Sequence, residues 1–434
     1  MTVDVQVGLL GYGTVGAAVN RLLTEQADDI ERATGHRLRV VKALVRDPGK
    51  EREYPPPAGV LTTEVREILD DPQVAVVVEV MGGVEPTRGY VLELLQRGKH
   101  VVSANKQLVA RCGAELFAAA SAAGVQLRFE ASVCAAIPVI KVLREALVVT
   151  NVHRVLGIVN GTTNFVLTQM EAGKTYAEAL AEAQARGFAE SDPTDDVSGA
   201  DAAAKIAILA TVAFNSRVGF DDVAYAGIES IDPLDIAAAR ELDMVIRLVG
   251  AARLVDGHVD VRVQPALVDQ QHPLAKVDGA FNAIMLQGDA IREITLEGPG
   301  AGGVETASAV IADAVSVIGT MGTGFLQNDA AWRELPFLPA GETRSPFYFR
   351  LAVEDRPGAL ARVAEALAGR EISIARLLQH PNGNGAALHV VTHETSAGAL
   401  DAALQDIDAL SEVYDRPLPL PVISDRGVSE LGWA

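Results

Sequence analysis

A chain of 434 residues, 49% of them hydrophobic, has room for about three domains, each with its own buried core. Its formal charge of −20 at pH 7, carried without any basic tract, excludes a broad nucleic-acid or anionic-membrane surface and obliges anionic ligands to meet local positive sites. Cys112 and Cys134 make no disulfide framework; the start lacks a signal-peptide pattern, no run reaches the roughly 18 apolar residues of a membrane span, and a cytoplasmic protein is expected. Strand-like and helix-like segments then alternate through 5–10, 15–23, 38–45, 74–81, 91–96, 101–104 and 114–123. That alternation predicts an α/β fold, with a doubly wound parallel sheet over 1–133. Residues 134–304 mix longer helices with strands such as the alternating 258–263, which suits an α+β domain with a half-exposed antiparallel sheet. An apolar helical pattern at 308–318, within 305–330, is expected to return and pack on the first domain. A breaker-rich linker, 331–345, leads to a last domain at 346–425. No internal repeat or low-complexity tract interrupts this order.

Gly11-Tyr12-Gly13-Thr14-Val15-Gly16 sits between an apolar strand and a segment with Val15, Val19 and Leu22 at helical spacing. Glycines there allow a tight turn and close approach of backbone N–H groups to a pyrophosphate at a helix N-terminus. The second strand ends in Arg46-Asp47, where such folds read the ribose. Arg46 suits the 2′-phosphate of NADP, the favoured reading; Asp47 suits the free 2′-OH of NAD, and the bland reading of Arg46 is a solvated loop residue.

Ser103-Ala104-Asn105-Lys106 follows the 101–104 strand at the carboxyl edge of the sheet, where ligands of open α/β folds bind. Further on, 187–198 concentrates Glu190, Asp192, Asp195 and Asp196 in a segment that its turn residues keep out of helix. Asp201 and Lys205 lie four apart at the start of 202–214, which is apolar on every side after Lys205. The lysine of such a buried helix faces a partner or a cleft; an exposed i,i+4 pair would be worth only about 0.3–0.5 kcal/mol. Desolvation and a second lysine nearby would lower the Lys205 pKa and make it an acid or base near neutral pH. Whether Lys106 is that neighbour stays open in the sequence.

Gly161-Thr162-Thr163-Asn164 within 157–165, the segment 187–194, and the run 196–205 closing on Lys205 closely resemble the signature of homoserine dehydrogenases. The likeness extends from the first strand to about Phe325. It implies a nicotinamide bound between a Rossmann domain and an α+β domain that also forms a dimer. It implies interconversion of L-homoserine and L-aspartate 4-semialdehyde, in threonine, methionine and isoleucine biosynthesis. By motif, Lys205 resembles the acid/base lysine and Lys106 the second active-site lysine, beside the nicotinamide. Glu190 and Asp201 would hold homoserine, with Asp196 supporting them. Gly11, Gly13, Thr14, Val15, Gly16, Arg46, Ser103, Lys106, Gly187 and Gly303 complete the implied cofactor contacts. No metal is needed to polarise the carbonyl. The family's monovalent-cation loop, for Na or K, maps to the Glu130 side chain and the carbonyls of Val133, Ala135 and Ile137. Ala135-Ala136 stand where the family usually has glycines, and a left-handed backbone would disfavour alanine. Glu305 likewise replaces the usual proline of the glycine-rich segment at 300–307.

The last domain reads as strand 347–353, loop Asp355-Arg356-Pro357-Gly358, helix 359–367, strand 372–374, hairpin turn 381–385, strand 387–392, helix 397–407 and a final extended run. This βαββαβ order is similar to ACT domains, which bind amino acids at paired interfaces. The resemblance implies L-threonine as effector and a homodimer or homotetramer. Two other readings compete. Cys134, ahead of a predicted helix, is a candidate thiolate nucleophile of an acylating aldehyde dehydrogenase, though a buried cysteine is the better default. A non-catalytic amino-acid-responsive regulator would need a DNA-binding element, which the charge balance disfavours.

Overall fold

The computed structural model describes residues 3–231, 233–241, 244–255, 257–319, 340–342, 344–382, 385–414 and 419–421. Most of the expected linker and the stretch 320–330 lie outside the described residues. The chain divides into two compact units, Met1–Trp332 and Arg333–Ala434.

The first unit opens with β1 (Val3–Leu10), α1 (Thr14–Glu25), α2 (Ala27–Thr34), β2 (His36–Leu44), β3 (Leu61–Thr62), α3 (Arg66–Leu69), β4 (Val74–Glu79), α4 (Thr87–Gln96), β5 (His100–Ser103), α5 (Lys106–Ala123) and β6 (Leu127–Arg128). The strands lie in the order β3-β2-β1-β4-β5-β6, and every ladder is parallel. This is the doubly wound Rossmann order, whose reversal between β1 and β4 opens a crevice at the carboxyl edge. Val76, Val77 and Val78 on β4 are fully buried because helices cover both faces of the sheet.

There follow α6 (Val139–Lys141), β7 (Val152–Ile158), α7 (Gly161–Glu171), α8 (Tyr176–Ala185), α9 (Thr194–Val197), α10 (Ala200–Phe214), β8 (Ala224–Tyr225), α11 (Pro233–Glu241), β9 (Met244–Val255), β10 (His258–Asp269), β11 (Phe281–Gly288) and β12 (Ile294–Pro299). A second sheet runs β12-β11-β7-β9-β10-β8; its ladders are antiparallel except that of β8 with β10. The alternating segment 258–263 is the start of β10, a half-exposed strand in which Val263 and Val268 are buried. Helix α10 is buried from Asp201 through Ala210 and packs on β7, β9, β10 and α5. Then α12 (Gly303–Gly319) returns to α1, and its Ala307, Val310, Ala314 and Val317 join the core around β1.

The second unit holds β13 (Arg344–Ser345), β14 (Phe347–Glu354), α13 (Ala359–Ala368), β15 (Ile374–Asn382), β16 (Gly385–Thr392), β17 (Thr395–Ser396), α14 (Ala397–Asp408) and β18 (Leu420–Pro421). Its main sheet, β15-β16-β14-β18, is antiparallel, and the order of elements is βαββαβ. The expected strand at 372–374 and turn at 381–385 need correction, since β15 begins at Ile374 and runs through Pro381 to Asn382. It is an edge strand, where a proline lacking N–H removes no ladder bond that the sheet needs.

Candidate active site

The glycine-rich turn joins β1 to α1 with a distinct demand on each glycine. Gly11 adopts φ 106°, and a Cβ there would stand 2.9 Å from the Val80 carbonyl. At Gly16 a Cβ would meet the Gly11 carbonyl at 2.4 Å, whereas nothing lies within 4 Å of one at Gly13. Two glycines thus close the turn, and the third leaves an open face. That face borders a cavity of about 900 Å³, lined by Gly11, Gly13, the 80–83 turn and the loop after β2, including Arg46, Lys50 and Arg52. The Arg52 guanidinium donates to the carbonyls of Asp47 (2.8 Å) and Lys50 (2.6 Å), stiffening that loop. Asp47 Oδ1 accepts from Gly49 N at 2.8 Å, so its carboxylate is engaged within its own turn. Sequence reasoning missed Lys50 and Arg52, although basic residues grouped after the second strand of an acidic chain were a visible signal. Gly303 packs close to Thr14, since a Cβ on it would meet Thr14 Cγ2 at 2.9 Å.

Three helix starts converge on a second cluster. Asn105 caps α5 by accepting from Leu108 N (3.1 Å), which sets Lys106 on the first turn. Asn160 caps α7, accepting from Thr163 N (2.8 Å), and its Nδ2 donates to Asp196 Oδ1 (2.7 Å) and Asp201 Oδ2 (2.9 Å). Asp201, on the first turn of α10 and 4% exposed, pairs with Lys205 Nζ at 2.7 Å and with Lys106 Nζ at 3.1 Å. Lys205 Nζ also donates to the Val159 carbonyl at 2.8 Å. The structure therefore brings Lys106, Asp196, Asp201 and Lys205 together around one buried carboxylate. Burial raises the Asp201 pKa, but Lys205 and Lys106 outweigh it and hold the carboxyl at about 2. Burial and the neighbouring Asp201 both push Asp196 up.

The expectation that the Lys205 pKa is lowered is wrong in direction. Burial is the strongest single influence and pulls it down, but Asp201, between the two lysines, acts with Cys134 and Asp196 to turn the net shift upward. The Glu190 carboxylate is exposed and outside the hydrogen bonds of this cluster, although its segment is near, since Thr162 Oγ1 donates to the Phe188 carbonyl at 2.6 Å. Gly187 is exposed with φ 76°. Ser103 is fully buried and its hydroxyl donates to Glu79 (2.6 Å). Cys134 is fully buried, 3.4 Å from Asn282 Nδ2, and burial pushes its thiol up to about 11. A thiol so held is no thiolate nucleophile, and the acylating reading loses its central residue. Sequence reasoning gave Asn160 no role; an asparagine just before a helix suggested a cap, but nothing there showed that it joins two aspartates.

Ala135 takes φ 39°, so the left-handed backbone that alanine disfavours is present. Nearby Glu130, 2% exposed, accepts from Ile140 N and Lys141 N, each at 2.8 Å. Burial lifts its pKa to about 7.

A nucleotide cleft in a Rossmann sheet, with Lys106 from that sheet's edge meeting the buried Asp201 and Lys205 of the following domain, defines a nicotinamide-dependent dehydrogenase. Family models agree: "Homoserine dehydrogenase, NAD binding domain" matches residues 11–130, "Homoserine dehydrogenase" 138–315 and "ACT domain" 348–412. The chain is 40% identical to the homoserine dehydrogenase of Bacillus subtilis over 99% of both chains. With that of Corynebacterium glutamicum it shares 41% over 93% of this chain and 92% of the other. A solved homoserine dehydrogenase from Thiobacillus denitrificans matches with TM-score 0.71 and 39% identity over 96% of this chain and 98% of that one. A hyperthermophilic archaeal homoserine dehydrogenase solved with NADPH matches with TM-score 0.62 and 29% identity, covering 75% and 100%. The chain belongs to the homoserine dehydrogenase family, as an NAD(P)-dependent oxidoreductase carrying an ACT domain. Among the described residues no helix is long and apolar enough to cross a membrane.

Proposed function

We propose that the chain interconverts L-aspartate 4-semialdehyde and L-homoserine with NADPH, using Lys205 as the acid/base group. The observation that carries this reading is the placement of Lys205 between Asp201 and the Val159 carbonyl. An ammonium has three N–H donors, and these two partners leave one for the substrate oxygen. The nicotinamide of the cofactor, when bound, would supply the hydride. Lys205, held charged by Asp201, donates a proton to the aldehyde oxygen; in the reverse direction its neutral form takes the hydroxyl proton. Lys106 adds positive charge near the developing alkoxide and fixes the other oxygen of Asp201. Glu190, on the exposed segment that Thr162 anchors at Phe188, and Asp201 would hold the substrate ammonium, with Asp196 supporting them. Gly11, Gly13, Thr14, Val15, Gly16 and Gly303 form the wall for the pyrophosphate, with Ser103 and Gly187 at its nicotinamide end.

Arg46, Lys50 and Arg52 on the adenosine side of the cleft, with Asp47 engaged by Gly49, favour the 2′-phosphate. The residues also fit a monovalent cation: Glu130, the carbonyls of Val133, Ala135 and Ile137, and the strained φ of Ala135 form a buried acidic loop whose raised carboxyl a cation would relieve. In the second unit, Gly358 at φ 95° starts α13, and Arg356 pairs with the buried Glu412. That loop suits an L-amino acid, with L-threonine as the proposed effector. Exposed Phe281 on β11, on the sheet face of Ala283 and Met285 that turns away from α10, adds apolar surface for a homodimer, or for a homotetramer built from it.

NADPH and NADH oxidation with aspartate 4-semialdehyde tests both substrate and cofactor. Arg46→Ala is expected to weaken NADPH selectively, leaving NADH kinetics close to wild type. Equal losses with both cofactors remove Arg46 from 2′-phosphate recognition, and no turnover of the semialdehyde with either overturns the function.

A further inference from the structure

Glu79, the last residue of β4, is fully buried, and nothing in the proposed chemistry uses it. An isolated buried carboxylate is costly, so its partners report what it is there for. Its oxygens accept from Ser103 Oγ at 2.6 Å and from Met81 N at 2.8 Å, and the nearby Gly82 N–H and Asn105 side chain also favour its charged form. Gly82 and Gly83, at φ 74° and 70°, wrap the turn after β4 around the carboxylate. On the other side Ser103 Oγ accepts from Asn105 N (3.1 Å), and Asn105 Nδ2 donates to the Gly83 carbonyl (2.7 Å). One side chain therefore clamps two loops. The 80–83 turn borders the nucleotide cavity, and 103–105 sets the start of α5, where Lys106 meets Asp201 at 3.1 Å.

We infer that Glu79 is a positioning residue that locks the wall of the nucleotide cleft to Lys106, so that hydride donor and proton donor stay in register. The inference rests on the proposed role of the Lys106–Asp201–Lys205 cluster. Glu79 touches neither substrate nor cofactor; it acts through Asn105 and the first turn of α5. Burial favours its neutral form and the hydrogen bonds favour the carboxylate, with burial ahead. Glutamine keeps the shape, but its amide N–H₂ faces donors and breaks the clamp on one side.

A double-mutant cycle between Glu79→Gln and Lys106→Met on the full chain, read as kcat together with NADPH Kd, tests this. Glu79→Gln is expected to lower kcat about tenfold or more in the wild-type background and less than about twofold in Lys106→Met, with NADPH Kd changed less than about threefold. Glu79→Asp should recover part of the loss. Multiplicative losses in the two backgrounds, or an undiminished kcat in Glu79→Gln, overturn the inference. If Glu79→Gln does not fold, Asn105→Ser, which keeps a cap for α5 and loses the Nδ2 donor to the Gly83 carbonyl, enters the same cycle under the same criteria. A wild-type kcat in Lys106→Met alone overturns the reading of the cluster itself, an outcome distinct from additivity.

Discussion

The chemistry of the site is set by where Asp201 sits. Two lysines facing one another in a buried site would depress each other's pKa; a carboxylate between them reverses the sign for Lys205. The sequence made the Asp201–Lys205 pair legible through its four-residue spacing, and with it the burial of α10. It left the position of Lys106 open because that residue is nearly a hundred positions away, and so the electrostatics came out inverted. A raised lysine pKa means that the ammonium persists through neutral pH and is lost only as pH rises through the raised value. Reductive kcat is therefore expected to stay level across neutrality and to fall on the alkaline side. Asp201→Asn removes the charge that holds the proton and moves that fall to lower pH. Profiles for both proteins check this, and an unmoved alkaline limb in Asp201→Asn assigns the fall to another group.

At the scale of elements, helix starts do much of the positioning. Asn160 both caps α7 and bridges Asp196 and Asp201, and substitutions can separate the two roles. Asn160→Ala is expected to lose both, at a cost of about 0.5–2 kcal/mol from the cap alone. Asn160→Ser keeps a cap yet loses the bridge, so its unfolding midpoint should stay near wild type while kcat falls on the order of 10–100-fold. Equal activity of Asn160→Ser and wild type would reduce Asn160 to a cap. The parallel-sheet elements were legible because strands buried on both faces read as apolar runs between helical patterns. Helix α2 was not: it is two turns long and Ile30, half-buried against the first core, is its one large apolar side chain, too little to mark a helix in the sequence. The length of β15 was hidden by Pro381, which reads as a breaker unless the strand is known to lie at an edge.

For the whole molecule, alternation predicted the first sheet, but the order of the second could not be read, since antiparallel neighbours are chosen by contacts distant in sequence. The Glu79 clamp escaped for the same reason: its partners are on a different strand and on the start of the following helix. The division into two units separates every proposed chemical residue from Arg356 and Gly358. A chain ending at residue 332 is thus expected to keep dehydrogenase activity and to lose any response to L-threonine. In the full chain, coupling of about 1–3 kcal/mol would appear as a 5–150-fold change in apparent affinity. Threonine titrations of both proteins check this, and an unresponsive full chain with no calorimetric binding makes the second unit structural. The central assignment, Lys205 as the proton donor, is tested most directly by a single-turnover experiment in which Lys205→Ala, loaded with NADPH, is mixed with aspartate 4-semialdehyde. NADPH should bind with near wild-type affinity while its oxidation slows about 10²–10⁴-fold; oxidation at the wild-type rate would contradict the assignment.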